Sequence, residues 1–287
     1  MRILVIGAQG MLGGTLMEAG RKAGHDMLGR DIESIDITDA AATAAIVAGD
    51  APQAVVNCAA FTNVDACEEH EAAALAVNGP GAGNVAAAAA AAGARVVHVS
   101  TDYVFPGDAR EPYVESSPTG PRTAYGRTKL AGELAVADAA PDHAIARTAW
   151  LYGAGGTNFV QTMLDLGAER ESVSVVDDQV GCPTWTGHLA PALLELAAGR
   201  ATGIFHATGG GRCSWFDLAR EALAGAGSSC HVEPTTTAAF ASPTPRPAFS
   251  VLVSERADDA VHLPAWREGL AGFLAARAAT ITTGSPR

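Results

Sequence analysis

Lysine is almost absent from this chain: Lys22 and Lys129 are the only two among its 19 basic residues. Against 31 acidic residues they leave a formal charge of -12, which argues against nucleic acid or an anionic membrane as partner. An anionic ligand would have to be met by local arginines and helix N-termini. Cysteine is sparse too. The five at Cys58, Cys67, Cys182, Cys213 and Cys230 are odd in number and scattered, so neither a disulfide framework nor a zinc site is expected, and the expected compartment is a reducing cytoplasm. Long apolar runs are missing. The longest, Val85 to Ala94, is about half the ~20 residues a membrane span needs and reads as a buried helix. The N-terminus opens directly on a strand pattern, Met1-Arg2-Ile3-Leu4-Val5-Ile6-Gly7, without the apolar region of a secretory leader.

What is present is a 48% hydrophobic chain of 287 residues, enough for a large core in one domain or one and a half. Strands are expected at Arg2–Ile6, Asp26–Leu28, Ala54–Asn57, Arg95–Val99 and Ala144–Arg147, and helices at Met11–Ala23, Asp39–Ala48, Glu68–Val77, Gly81–Ala92 and Ala124–Ala137. That alternation predicts an α/β fold, a doubly wound parallel Rossmann-type sheet over residues 1–152. Past Gly153–Thr157 the strands thin out. Residues 153–279 read as a smaller α/β substrate-binding portion, with some segments returning to the first. Its helices are expected at Asn158–Glu169, His188–Ala198, Trp215–Ala224 and Ala265–Ala276, its strands at Val173–Val176 and Gly203–Ala207. The tail Thr280–Arg287 has little that can pack and is expected to be disordered.

Three stretches carry chemistry. Tyr125-Gly126-Arg127-Thr128-Lys129 puts a phenol and an ammonium one helical turn apart. A phenol titrates near pH ~10, and a neighbouring cation makes its anion accessible near neutrality. With four tyrosines and two lysines in the chain, chance would place a Tyr-x-x-x-Lys only about 0.03 times. Gly7-Ala8-Gln9-Gly10-Met11-Leu12-Gly13 is a G-x-x-G-x-x-G. Its spacing alone says little in a chain with 32 glycines, but it follows a strand and opens a helix, where a dinucleotide pyrophosphate binds. Thr101, ending the fourth strand, could hydrogen-bond a carbonyl and hold it near the phenol. The ribose-reading region is Leu28-Gly29-Arg30-Asp31: Asp31 could hold a ribose hydroxyl, Arg30 a 2'-phosphate. Gly29, standing where the strand is expected to end, inclines the reading to NADPH over NADH.

These stretches, together with Ser100-Thr101-Asp102-Tyr103-Val104-Phe105 and Leu130-Ala131-Gly132-Glu133, resemble the extended short-chain dehydrogenase/reductases. Asp178-Gln179-Val180-Gly181-Cys182-Pro183-Thr184 and Arg246-Pro247-Ala248-Phe249-Ser250-Val251-Leu252 narrow the resemblance to the dTDP-4-dehydrorhamnose reductase family. It implies a reductase of a dTDP-4-dehydro-6-deoxysugar, dTDP-4-dehydro-L-rhamnose first among them, in which Tyr125 is the acid, Lys129 its electrostatic partner and Thr101 the carbonyl-orienting hydroxyl. Substrate contacts would fall on Thr101, Asp102, Tyr103, Tyr125, Trp150 and Arg246. Cofactor contacts would fall on Gly7, Gln9, Gly10, Met11, Leu12 and Gly13, on Arg30, Asp36 and Ile37, on Ala59, Ala60 and Thr62, and on Tyr125 and Lys129. Members of this type are often homodimers.

The chain departs from the wider family at Tyr103, where sugar-nucleotide dehydratases carry a second carboxylate, so elimination is disfavoured. Some members bridge a dimer through magnesium held by carboxylates, but the C-terminal region offers Glu268 and no clear cluster, so no metal is expected. Glu33 and Ser34 read as a short insertion ahead of Asp36. Two alternatives stay open: a 4-ketoreductase for another dTDP-deoxysugar of secondary metabolism, and a non-catalytic NADP-binding subunit like the regulatory subunit of methionine adenosyltransferase, which resembles the same branch. The second would not need Thr101, Tyr125 and Lys129 together.

Overall fold

The computed structural model describes residues 1–240 and 243–283. Its first half runs β1 (Arg2–Ile6), α1 (Met11–Lys22), β2 (Asp26–Arg30), α2 (Ala40–Asp50), β3 (Ala54–Asn57), α3 (Val64–Glu69), α4 (Glu71–Ala76), α5 (Ala82–Ala91), β4 (Arg95–Thr101), α6 (Ala124–Ala139) and β5 (His143–Thr148). There follow β6 (Leu151–Tyr152), α7 (Phe159–Glu169), β7 (Ser172–Val176), β8 (Val180–Gly181), β9 (Thr184–Trp185), α8 (Thr186–Ala198), β10 (Gly203–His206), β11 (Cys213–Ser214), α9 (Trp215–Gly225), β12 (His231–Thr235), α10 (Thr237–Phe240) and α11 (Trp266–Thr283).

Six strands form one sheet in the order β2-β1-β3-β4-β5-β10, and every pairing in it is parallel. Parallel strands covered on both faces read as unbroken apolar runs, and β1 does so: Ile3, Leu4, Val5 and Ile6 are all fully buried. Because side chains alternate across a strand, Ile3 and Val5 pack with Leu12 and Leu16 of α1 and Leu189 and Leu193 of α8. Leu4 and Ile6 face the opposite way, onto Val47 of α2, Val85 and Ala89 of α5 and Val136 of α6. The strand order reverses at β1, which opens a crevice beyond the carboxyl ends of β1 and β3 where ligands of such sheets bind.

A smaller set of elements packs beside the sheet around Tyr152, Val160, Leu164, Leu218, Leu223, Trp266 and Phe273. It includes the parallel pair β7 and β12. β10 does not belong there; it joins the edge of the main sheet beside β5. The helix expected over Glu68–Val77 is two short helices broken at His70, and it begins earlier because Asn63 caps α3 by accepting from Ala66 N–H at 3.0 Å. A wide π-type turn, Val77–Gly81, then contains Pro80 before α5 resumes. α11 runs through Thr283, so part of the tail expected at Thr280–Arg287 is helical, and residues 284–287 lie outside the described residues.

α6 is registered on the sheet by a buried ion pair. Glu133 Oε1 accepts from Ser100 Oγ at 2.6 Å and from Arg147 Nε at 2.9 Å, and Oε2 accepts from Arg147 Nη2 at 2.7 Å; both partners are under 5% exposed. Removing one member of such a pair strands the other charge in the interior. Glu133→Ala is therefore expected to lower the unfolding free energy by about 3–5 kcal/mol, measured by chemical denaturation; a loss near that of an exposed ion pair would contradict the clamp.

Candidate active site

The crevice at the sheet switch opens into a cleft of about 1270 Å³, more than one drug-sized ligand fills. Its first wall is the turn after β1. Gly7 has φ +82, and a Cβ there would lie 2.8 Å from Ala59 N; a Cβ on Gly13 would lie 2.0 Å from Gly7 O. Gly10 caps α1 without a side-chain hydrogen bond, so the first-turn N–H groups and the positive end of the helix face the cleft. The three glycines thus permit the turn, the bare helix start and the helix–strand approach, and this cradle fits a dinucleotide pyrophosphate.

The second wall is the loop after β3. Asn78, buried in the π-type turn, accepts from Phe61 N–H at 2.7 Å and donates to Phe61 O and to Thr128 Oγ1, each at 3.0 Å. One side chain therefore ties the Ala59–Thr62 loop to α6. Sequence reasoning missed it, although an asparagine in an alanine-rich stretch, two residues ahead of Pro80, is a signal of a buried polar role.

The third wall is α6 against the end of β4. Thr123 caps α6, accepting from Gly126 N–H at 3.0 Å, and Gly126 has no Cβ because Tyr103 O would sit 2.2 Å from it. Tyr125 and Lys129 share the helix face that meets β4. Lys129 is 2% exposed; its Nζ donates to Val99 O at 2.7 Å and lies 3.3 Å from His98 Nε2. Burial lowers its pKa to about 8, with Glu133 and then Cys58 pulling the other way. Burial pushes the Tyr125 phenol up, opposed by a hydrogen bond with Thr101. His98, fully buried, is held well below its ordinary value by burial and then by Lys129; it too was missed, though a histidine inside an apolar strand is a readable anomaly.

Thr101 Oγ1 accepts from Tyr103 N–H at 3.2 Å and donates to Asp102 Oδ1 at 3.0 Å. Asp102 is 2% exposed and its Oδ2 has no hydrogen-bond partner; burial pushes its pKa up to about 6. Tyr103 meets Tyr125 edge to face at 5.4 Å. Arg246 Nη2 donates to both carboxylate oxygens of Asp65 at 2.9 Å, while its buried Nη1 has no partner. Trp150 sits at φ +48, a left-handed conformation unusual for an aromatic residue, and stacks on Trp215 with centroids 3.5 Å apart.

Of the residues expected at the site, Gly7, Gly10, Met11, Leu12, Gly13, Asp36, Ile37, Ala59, Ala60, Thr62, Thr101, Asp102, Tyr103, Tyr125, Lys129, Trp150 and Arg246 all line this one cleft. Gln9 and Arg30 do not. Gln9 N–H donates to Asp31 Oδ2 at 2.7 Å and its side chain turns to Glu33. The Arg30 guanidinium is held by the Asp50 carboxylate at 2.9 and 2.6 Å. The reason for placing Arg30 at the ribose also falls, because β2 extends to Arg30, two residues past the expected end, so the residue that follows the strand is Asp31. Among the described residues no cluster of three or more His, Cys, Asp or Glu could hold a metal.

Fold and cleft define a Rossmann-type α/β protein whose crevice brings a glycine-rich turn together with Tyr125 and Lys129 of one helix face. The model of the RmlD substrate binding domain matches residues 1–279, and the chain belongs to that family. It is 48% identical over 262 residues to a dTDP-4-dehydrorhamnose reductase of Streptomyces griseus, covering 89% of this chain and 86% of the relative. It is 47% identical to a probable dTDP-4,6-dihydroxy-2-methyloxan-3-one 4-ketoreductase of Streptomyces antibioticus, covering 89% and 88%. The crystal structure of dTDP-4-dehydrorhamnose reductase from Bacillus anthracis in complex with NADP superposes with a TM-score of 0.92 at 38% identity, covering 96% of this chain and 99% of that one.

The Lys129 ammonium leads to a stability test with a defined sign. Its folded pKa of about 8 lies below the ordinary 10.5, so between those values the folded state holds fewer protons than the unfolded chain. The cost of burying the charge, about 3 kcal/mol, is complete below pH ~8 and fades as pH rises towards 10.5. Lys129→Met is expected to raise the unfolding free energy at pH 7 and to gain much less at pH 10; equal gains at both would contradict the buried-charge account.

Proposed function

We propose that this chain reduces the C4 ketone of a dTDP-4-dehydro-6-deoxy-L-hexose, dTDP-4-dehydro-L-rhamnose first among them, to the alcohol at the expense of a reduced nicotinamide dinucleotide. The observation that carries the reading is the meeting of Thr101, Tyr125 and Lys129 in one cleft beside the glycine turn. Residues Gly7 to Gly13 would hold the pyrophosphate, and the bound dinucleotide supplies the hydride. Thr101 orients the carbonyl by hydrogen bonding, and Tyr125 gives its proton to the oxygen that becomes the alkoxide. Lys129, charged below about pH 8, lowers the cost of the phenolate left behind. The unpartnered Nη1 of Arg246 suits an oxygen of the sugar-nucleotide diphosphate. Five free cysteines fit a reducing cytoplasm, and no helix among the described residues is long and apolar enough to cross a membrane.

A second reading has its own support: the Streptomyces antibioticus relative, named for a different dTDP-ketosugar, is nearly as similar as the rhamnose-pathway one. Nicotinamide absorbance, followed with dTDP-4-dehydro-6-deoxyglucose in the presence and absence of its epimerase, separates them. Oxidation that requires the epimerase is expected. Turnover without it, or of another ketosugar alone, would overturn the rhamnose assignment, and no turnover of any ketosugar would overturn the reductase. Tyr125→Phe is expected to lower kcat by at least about 10²-fold with cofactor affinity retained.

A further inference from the structure

The side chains around the end of β2 speak to which dinucleotide the cleft takes, and this rests on the dinucleotide reading above. A nicotinamide dinucleotide with a free ribose 2'-hydroxyl offers a donor, so a carboxylate suits it; one with a 2'-phosphate adds about two negative charges and needs a cation. Asp31 is the first residue beyond β2 and lines the cleft. Its carboxylate is held from two sides, Oδ2 by Gln9 N–H at 2.7 Å and Oδ1 by Ile32 N–H at 2.9 Å, and each oxygen keeps a lone pair for a further donor. A second carboxylate is beside it: Glu33 Oε2 accepts from Gln9 Nε2 at 3.3 Å.

Among the described residues lining the cleft beside β1 and β2, no cation offsets these two charges. Arg30 is turned onto Asp50 through two hydrogen bonds at 2.9 and 2.6 Å, and does not line the cleft. The basic residues that do are Lys129, Arg170 and Arg246; they belong to α6, the end of α7 and the C-terminal segment, and none to β1, β2 or the turns that follow them. Lys22 closes the far end of α1, roughly 16 Å along the axis from its first residue, and is paired with Glu18 at 2.5 Å.

We propose that Asp31, reinforced by Glu33 and by the Asp50 that occupies Arg30, makes this chain selective for NADH over NADPH. The Bacillus anthracis relative in complex with NADP is 38% identical, which does not determine these side chains. Binding of each reduced dinucleotide to the full-length chain is read by nicotinamide fluorescence at fixed ionic strength, independently of turnover. NADH is expected to bind at least about tenfold more tightly than NADPH. Asp31→Asn should erase most of that difference, chiefly by weakening NADH. Asp50→Asn, which leaves the loop after β2 intact and frees Arg30, should strengthen NADPH. Equal binding of the two by the unmodified chain, or tighter NADPH, overturns the selectivity while leaving the dinucleotide reading standing. Failure of both to bind overturns that reading and the selectivity with it.

Discussion

The arrangement depends on one costly placement, the Lys129 ammonium in the interior at the edge of the cleft. An amine there resists protonation, yet a phenol one turn away needs a positive neighbour if its anion is to be reached near neutral pH. The interior offers Nζ a strand carbonyl at Val99 and, one helical turn further on, the charge of the Glu133 carboxylate, which opposes the cost of burial. Glu133 is itself committed to Ser100 and Arg147, so the residue that steadies the ammonium also fixes the helix on β4 and β5. The packing of α6 and the placement of Tyr125 and Lys129 therefore share a network, and loosening the helix would displace both side chains together.

Around that face the cleft is assembled from parts distant in sequence. The sheet switch brings the turn after β1 against the loop after β3, close enough that Gly7 has no room for a side chain. Asn78 then fastens the second loop to α6, and Asp65 holds Arg246 across 181 positions of sequence. Trp150, in a strained conformation with one face covered by Trp215, carries the cleft from the sheet into the smaller lobe. Strain of this kind persists only where the surroundings over-determine it.

Much of the frame was legible in the chain because it is written in local periodicities: the apolar run of β1, the glycines at its end, and a tyrosine and lysine four apart. Each follows from backbone geometry over a few residues. What was not legible depends on partners that only the fold supplies. Arg30 is an apt phosphate ligand by type, but Asp50, brought alongside by α2, takes it. That some later segment returns to the first sheet was expected, but that the segment is β10 is decided by its pairing with β5. The break at His70 falls inside Glu68–Val77, a stretch that reads as one helix, whereas the interruption at Val77–Gly81 lies between two expected helices and is announced by Gly79, Pro80 and Gly81.

The central claim is that hydride reaches the sugar C4 while Tyr125 supplies the proton. It is tested most directly by running the reaction with a reduced nicotinamide carrying deuterium at its transferable position and locating the label in the product sugar by NMR. The account predicts deuterium on C4, with the hydroxyl proton drawn from solvent through Tyr125. A product without label at C4, or with the label elsewhere on the ring, would contradict it.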